Sequence, residues 1–309
     1  MSQKKDLVST QGIAPQASAE THALIKQSSV NLQASDIDLE VSVLHRHASL
    51  KLNARDMVAK DCAPILFLHG FGSTKEDYAD IVLHSAFNNN PFIAYDAPGC
   101  GNTKCGDNSV DHLQKINIPF LVKTALAILD HYKVEQFHLV GHSMGGLTAL
   151  MLASQIPERV LSFVDIEGNV APEDCFLSRQ IISHNIADPD EFFAEFIERA
   201  RLAPAFASAL YAASLQHKVR AGAVRSIFES MVALSDSGKL LETFIQLPMP
   251  KTFMYGAQNA GLSYLPQLKE NGVHLAEISF SGHFPMYSNP TAMWAAIAAL
   301  HFQSAPRTS

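Results

Sequence analysis

From Ile37 the chain alternates. Ile37, Leu39, Val41 and Val43 are apolar, while Asp38, Glu40 and Ser42 between them are polar. That period of two predicts an antiparallel edge strand over 37–44 with one face in water, and 47–52 reads as its hairpin partner. Beyond it the pattern changes to short, unbroken apolar runs at 64–68, 92–95, 137–140, 161–166, 251–255 and 273–278. Helix-period segments lie between them, most clearly at 120–132 and 146–155. Strands that are apolar on both faces and alternate with helices predict a doubly wound, mostly parallel α/β sheet. The first 36 residues are polar and without steady periodicity, and read as a flexible arm. Residues 303–309 read as a tail.

One interval departs from the alternation. Residues 172–247 contain no strand signal but several helix-like stretches, among them Phe192, Phe193 and Phe196 and then an Ala-rich apolar run. This is too long for a simple crossover. It predicts a helical cap between the sixth and seventh strands, lying over the C-terminal edge of the sheet, where open α/β folds bind ligands. The flanking segments 37–171 and 248–302 then form one core.

Composition narrows the function. The 309 residues are 47% hydrophobic and 17% charged, with a formal net charge of -7, which disfavours a nucleic-acid or anionic-membrane partner. The start, Met1-Ser2-Gln3-Lys4-Lys5-Asp6, has no apolar stretch behind it, so neither a secretory leader nor a membrane span is predicted and a cytoplasmic location is expected. Cys62, Cys100, Cys105 and Cys175 form no C-x-x-C pair or zinc pattern. Cys100 and Cys105 flank a Gly-rich turn, but four reduced thiols are the expectation. Nothing in the sequence sets an oligomeric state.

The candidate chemistry centres on Gly141-His142-Ser143-Met144-Gly145-Gly146, between a strand and a helix. This is a G-x-S-x-G turn in the setting that gives it meaning: a sharp strand-to-helix turn lifts the Ser143 hydroxyl above a sheet, and the helix N-terminus offers free N–H groups to an oxyanion. A serine hydroxyl is a poor nucleophile without a base to take its proton. His283, in Ser281-Gly282-His283-Phe284 after the last strand, is the candidate base.

Four motifs, each at the C-terminal end of a strand, carry a resemblance to the α/β-hydrolase superfamily over residues 37–302. They are His69-Gly70-Phe71-Gly72, Asp96-Ala97-Pro98-Gly99-Cys100-Gly101, Gly141-His142-Ser143-Met144-Gly145 and Ser281-Gly282-His283-Phe284. The resemblance implies the α/β-hydrolase fold, a serine–acid–histidine order along the chain, and an oxyanion hole made by the Phe71 and Met144 amides. It also implies an acid shortly after Gly256, but Asn259 stands there. Some relatives, including a branch similar to haloalkane dehalogenases, place a glutamate after the preceding strand, and Glu167 matches that position. Asp165 is the rival, and a water-bridged Asn259 a further alternative.

Candidate substrate contacts are Phe71, His142, Phe192, Phe196 and Phe284. His142 is expected to pack with its side chain turned from the reacting atom. Phe193, Phe206, Leu210 and Tyr211 could also line a pocket or form the core of the cap. His69 reads as a residue shaping the oxyanion loop, and Asp96 as ordering its Pro-Gly turn. The remaining histidines show no ligand spacing, so no metal and no cofactor is expected.

The implied activity is hydrolysis of a small, largely apolar carboxylic ester or lactone through an acyl-enzyme. C–C bond hydrolysis, thioester cleavage and acyl transfer use the same triad and are not separated by these motifs. A ligand-binding receptor or pseudoenzyme on the same fold is the alternative of another class. Asn259 would favour it if Glu167 were not in place.

Overall fold

The structure is a computed structural model that describes residues 25–46, 63–88, 90–183, 188–204 and 208–303. Nine strands form one sheet: β1 (Lys26–Ala34), β2 (Ile37–Arg46), β3 (Ile65–Leu68), β4 (Phe92–Tyr95), β5 (Lys104–Cys105), β6 (Phe137–His142), β7 (Val160–Ile166), β8 (Lys251–Gly256) and β9 (His274–Ile278). Their order is β1-β2-β4-β3-β6-β7-β8-β9, with β5 beside β2. The pairs β1–β2, β2–β4 and β2–β5 are antiparallel and the rest parallel.

The helices are α1 (Val110–Leu113), α2 (Ile118–His131), α3 (Met144–Gln155), α4 (Phe176–Ile182), α5 (Pro189–Leu202), α6 (Ser208–Lys218), α7 (Ala221–Ser237), α8 (Leu240–Gln246), α9 (Leu265–Glu270), α10 (Pro285–Ser288) and α11 (Pro290–Gln303). Local chemistry fixes several starts. Asn117 caps α2 by accepting from Phe120 N, and Asp188 caps α5 by accepting from Asp190 N and Glu191 N, each with a proline in the first turn. Among the described residues no helix is long and apolar enough to cross a membrane.

The parallel strands are buried on both faces because successive side chains point to opposite sides. Leu66, Leu139, Phe163 and Phe253 join the core shared with α2, α3 and α8. Their neighbours Phe67, Val140, Val164 and Met254 join a second core around Tyr78, Phe87 and Trp294. The apolar runs of the sequence therefore serve two cores at once.

Three expectations about strands change. Residues 26–34 are a strand rather than part of an arm: β1 pairs along its full length with β2. Its outward face carries Gln27, Ser29, Asn31 and Gln33, and the inward face starts with Lys26 and Ser28 before the buried Val30 and Ala34, so its apolar alternation is faint. The β1–β2 turn is Ser35-Asp36, with φ of 48° and 63°, the two left-handed residues of a tight hairpin built without the usual glycine. Consequently β2 is not an edge strand; it lies between β1 and β4. The expected hairpin partner at 47–52 lies outside the described residues, as do Cys62 and Phe206. Finally, seven strands among the described residues precede the long helical interval, and two of them, β1 and the two-residue β5, carry little signal.

Helices α4 to α8 fill that interval between β7 and β8. The stretch joining α6 to α7 is fastened to the loop after β4. Gly101 N donates to Lys218 O (2.7 Å), Arg220 N donates to Gly99 O (2.8 Å), and Cys100 bridges Val219. Ser230 Oγ on α7 accepts from Ile118 N (3.0 Å) at the start of α2. Cys100, Cys105 and Cys175 are free and buried.

Candidate active site

Ser143 sits between β6 and α3 with φ of 52° and ψ of -119°, a left-handed conformation that costs about 1–3 kcal/mol for a residue with a Cβ. Its amide donates to Ile166 O (3.0 Å) and its carbonyl accepts from Leu147 N (3.0 Å), so the strain is held from β7 and from the helix. Gly145 makes the turn possible. A Cβ there would collide with the carbonyl oxygens of Leu68 and His69.

Glu167 follows β7, also left-handed at φ of 49°. Its amide donates to Met254 O (2.9 Å) on the neighbouring β8. The carboxylate accepts from Gly256 N at Oε1 (2.7 Å), and from Asn259 Nδ2 (2.6 Å) and His283 Nδ1 (2.9 Å) at Oε2. Burial works against the charge, but the hydrogen bonds from His283, Gly256 and Asn259 outweigh it and hold the carboxyl below its ordinary range. Because a carboxylate only accepts, His283 carries its proton on Nδ1, which leaves Nε2 as an acceptor.

Ser143, Glu167 and His283 line one cavity of about 520 Å³. Asn259, three residues after Gly256, is an amide that hydrogen-bonds Glu167. The resemblance put Asn259 where the acid usually stands, with a water-bridged role as one alternative; nothing in the sequence marked the residue as a support for Glu167. Asp165 is turned away. It is fully buried, accepts from Gly168 N at Oδ1 (2.9 Å), and has no partner at Oδ2 among the described residues.

The amides of Phe71 and Met144 donate to no other group among the described residues. Met144 is the first residue of α3, where an amide has no partner within the helix. His69 and Asp96 build the floor behind them. His69 Nε2 accepts from Ala97 N (2.9 Å) while Nδ1 donates to Gly70 O (2.8 Å), tying the loop after β3 to the loop after β4. Asp96 accepts from Lys75 N (3.0 Å), Lys75 Nζ (2.9 Å) and Asn102 N (2.9 Å), and both ionic side chains are fully buried. No signal in the sequence marks Lys75 as its counter-ion.

Residues 63–218, about half of the chain, match the family described as the alpha/beta hydrolase fold. The chain belongs to the α/β-hydrolase family. Over 100 residues this α/β hydrolase is 37% identical to the dihydrolipoyllysine-residue acetyltransferase component of the acetoin cleaving system of Pseudomonas putida, a match covering 32% of this chain and only 25% of that protein. Over 254 residues it is 26% identical to the 2-succinyl-6-hydroxy-2,4-cyclohexadiene-1-carboxylate synthase of Klebsiella pneumoniae, covering 76% of this chain and 92% of that one. A carboxylesterase structure from Nitrososphaera gargenis shares the fold, with a TM-score of 0.69 over 89% of this chain and 98% of that chain at 13% identity.

Of the expected substrate contacts, Phe71, Phe196 and Phe284 line the cavity of this α/β hydrolase, together with Tyr211. His142 and Phe192 do not. The last residue of β6, His142, is fully buried, and its Nε2 donates to His283 O (2.8 Å). Burial first, and the nearby His283, push its ring down to about 3, so it stays neutral and props the histidine loop from below. Phe192 lies one turn before Phe196 on α5 but borders a separate groove with Gly222 and Glu229, where the Arg225 guanidinium lies over its ring (5.6 Å). Leu210 is exposed and Phe193 stacks on Phe196 in the core.

Burial, opposed only by the bond from Gly168, raises the Asp165 carboxyl well above its ordinary range. A carboxyl that is raised in the folded state favours folding most below its unfolded value of about 3.9, and that advantage is lost as pH rises through the folded value. Asp165→Asn keeps the Gly168 bond and removes the charge. It is expected to raise Tm relative to wild type by several degrees at pH 8 and hardly at all at pH 4, with turnover retained. Lost turnover would instead identify Asp165 as a working acid.

Proposed function

We propose that this chain is a serine hydrolase that cleaves a small, largely apolar carboxylic ester or lactone through an acyl-enzyme. The observation that carries the reading is one cavity bordered by Ser143, by His283, and by a buried Glu167 bonded to His283 Nδ1 at 2.9 Å. Ser143 Oγ attacks the acyl carbon as His283 Nε2 takes its proton. The Phe71 and Met144 amides receive the charge that builds on the carbonyl oxygen. His283 then protonates the departing alkoxide, and water attacks the acyl-enzyme by the same route in reverse. Glu167 holds the required tautomer and offsets the imidazolium charge. Helices α4 to α7 act as the cap, and no cofactor takes part.

The cavity chemistry supports an uncharged substrate. Its walls are largely apolar, with Phe71, Phe196, Phe228, Met231 and Leu262 prominent. Much of its polar content is already engaged: Asp174 accepts from Tyr264 Oη (2.8 Å), Val170 N (2.9 Å) and Ala171 N (2.8 Å), and Asn259 is spent on Glu167. Burial, only partly offset by these bonds, pushes Asp174 up to about 6. Among the described lining residues Arg199 is the only lysine or arginine, and the same lining includes the carboxyls of Glu167 and Asp174. A substrate bearing several carboxylates finds little to neutralise it there.

Hydrolysis of a p-nitrophenyl ester series from acetate to long acyl chains, with Ser143→Ala as the blank, tests the proposal. Turnover is expected to vanish in the blank and to peak at a chain length that fills about 520 Å³. Equal rates for wild type and Ser143→Ala would refute it.

A further inference from the structure

We infer that Tyr211, on α6, is a positioning residue that sets the oxyanion-binding amide of Phe71 and links it to the His283 loop. The inference rests on the reading of the Phe71 amide given above. Tyr211 Oη donates to Phe71 O at 3.0 Å, across a sequence separation of 140 residues. Its ring stacks on Phe284, next to His283, with centroids 4.5 Å apart and planes at 27°. One buried side chain therefore touches both loops between which the tetrahedral intermediate would form.

Phe71 is gripped on every side but one. Its ring packs on Phe228 of α7 (centroids 4.6 Å) and Phe196 of α5 (6.1 Å). Its carbonyl is taken by Tyr211 of α6. The remaining polar group is the N–H, which donates to nothing among the described residues while Phe71 lines the cavity. The next residue, Gly72, has φ of 76°, and a Cβ on it would collide with Tyr211 and Leu215. Glycine lets α6 press onto the loop, but it also leaves the backbone free to relax if nothing holds it. Tyr211 is 6% exposed, so water is poorly placed to replace its hydroxyl. The α6 C-terminus, fastened to the loop after β4 through Lys218 O and Gly101 N, gives the hydroxyl a fixed support.

An oxyanion donor works only where the charge develops, and displacing it by about 1 Å costs on the order of 10²-fold. Tyr211→Phe keeps the stack on Phe284 and deletes the bond to Phe71. It is expected to lower kcat by about ten- to a hundred-fold with KM within about twofold, and to slow fluorophosphonate labelling of Ser143 in proportion, because the phosphoryl oxygen occupies the same hole. Amide exchange at residues 70–73 is expected to quicken in the same variant while α2 and α3 are unchanged. Tyr211→Leu, which also loses the stack on Phe284, is expected to lower kcat further than Tyr211→Phe does.

The two readings fail differently. An active, labelled wild type with unaltered kcat, labelling rate and loop exchange in Tyr211→Phe overturns the positioning role alone. A wild type that neither hydrolyses esters nor takes the label overturns the hydrolase reading and the positioning role with it. A general loss of stability in Tyr211→Phe, with kcat per folded molecule unchanged, assigns Tyr211 to packing.

Discussion

Glu167→Gln is expected to lower kcat by about 10⁴-fold while leaving the fold intact. Shape hardly changes, so the effect comes from donors and acceptors. Oε1 must remain an oxygen to accept from Gly256 N, which places the new NH₂ at the position of Oε2. Asn259 can turn its amide over and accept from it. His283 can accept only by moving its proton from Nδ1 to Nε2, and in that tautomer it cannot take a proton from Ser143. The imidazolium also loses its counter-charge. Asn259→Ala removes one of three bonds to Glu167 and should cost far less. Steady-state kinetics with Tm as the folding control decides the matter; a Glu167→Gln enzyme as fast as wild type would remove Glu167 from the mechanism.

Lys75→Met is expected to destabilise the protein by about 3–5 kcal/mol. Lys75 and Asp96 are both fully buried and bonded at 2.9 Å. Removing the ammonium leaves the Asp96 carboxylate without a counter-ion in a dry setting. Burial opposes the charge on Lys75 too, but the bonds to Glu76 and Asp96 outweigh it and raise its pKa. Adding Asp96→Asn to Lys75→Met removes the stranded charge and should restore part of the loss, although an amide cannot accept from both Lys75 N and Asn102 N. Urea unfolding followed by the fluorescence of Trp294 reads the difference. A single variant within 1 kcal/mol of wild type, by the order-of-magnitude expectation above, would mean that water or Glu76 compensates the pair.

Much of the fold was legible because the parallel strands are buried twice over and therefore read as continuous apolar runs. The Ser143 turn and the His283 loop were legible for another reason: glycine and serine at fixed spacing are demanded by the local backbone. Strand β1 was not, since Lys26 to Ser29 are polar on both faces and its turn uses Ser35-Asp36 in place of glycine. Phe192 and Phe196 could not be told apart, as both belong to one apolar stripe of α5 and only the neighbours each meets in the fold separate them. Tyr211 and Lys75 were invisible in their roles. Each acts through one bond to a residue distant in sequence, and no periodicity records such a bond.

The left-handed backbone at both Ser143 and Glu167 has an evolutionary consequence. Glycine would sit at either position without steric penalty, relieving the backbone strain and removing the side chain that the proposed chemistry needs. Selection for heat resistance alone therefore pushes against these two positions, and selection for turnover pushes back. The protein's melting point and its rate are in conflict at the same two dihedral angles, so a lineage that gives up the reaction should be expected to lose these residues early.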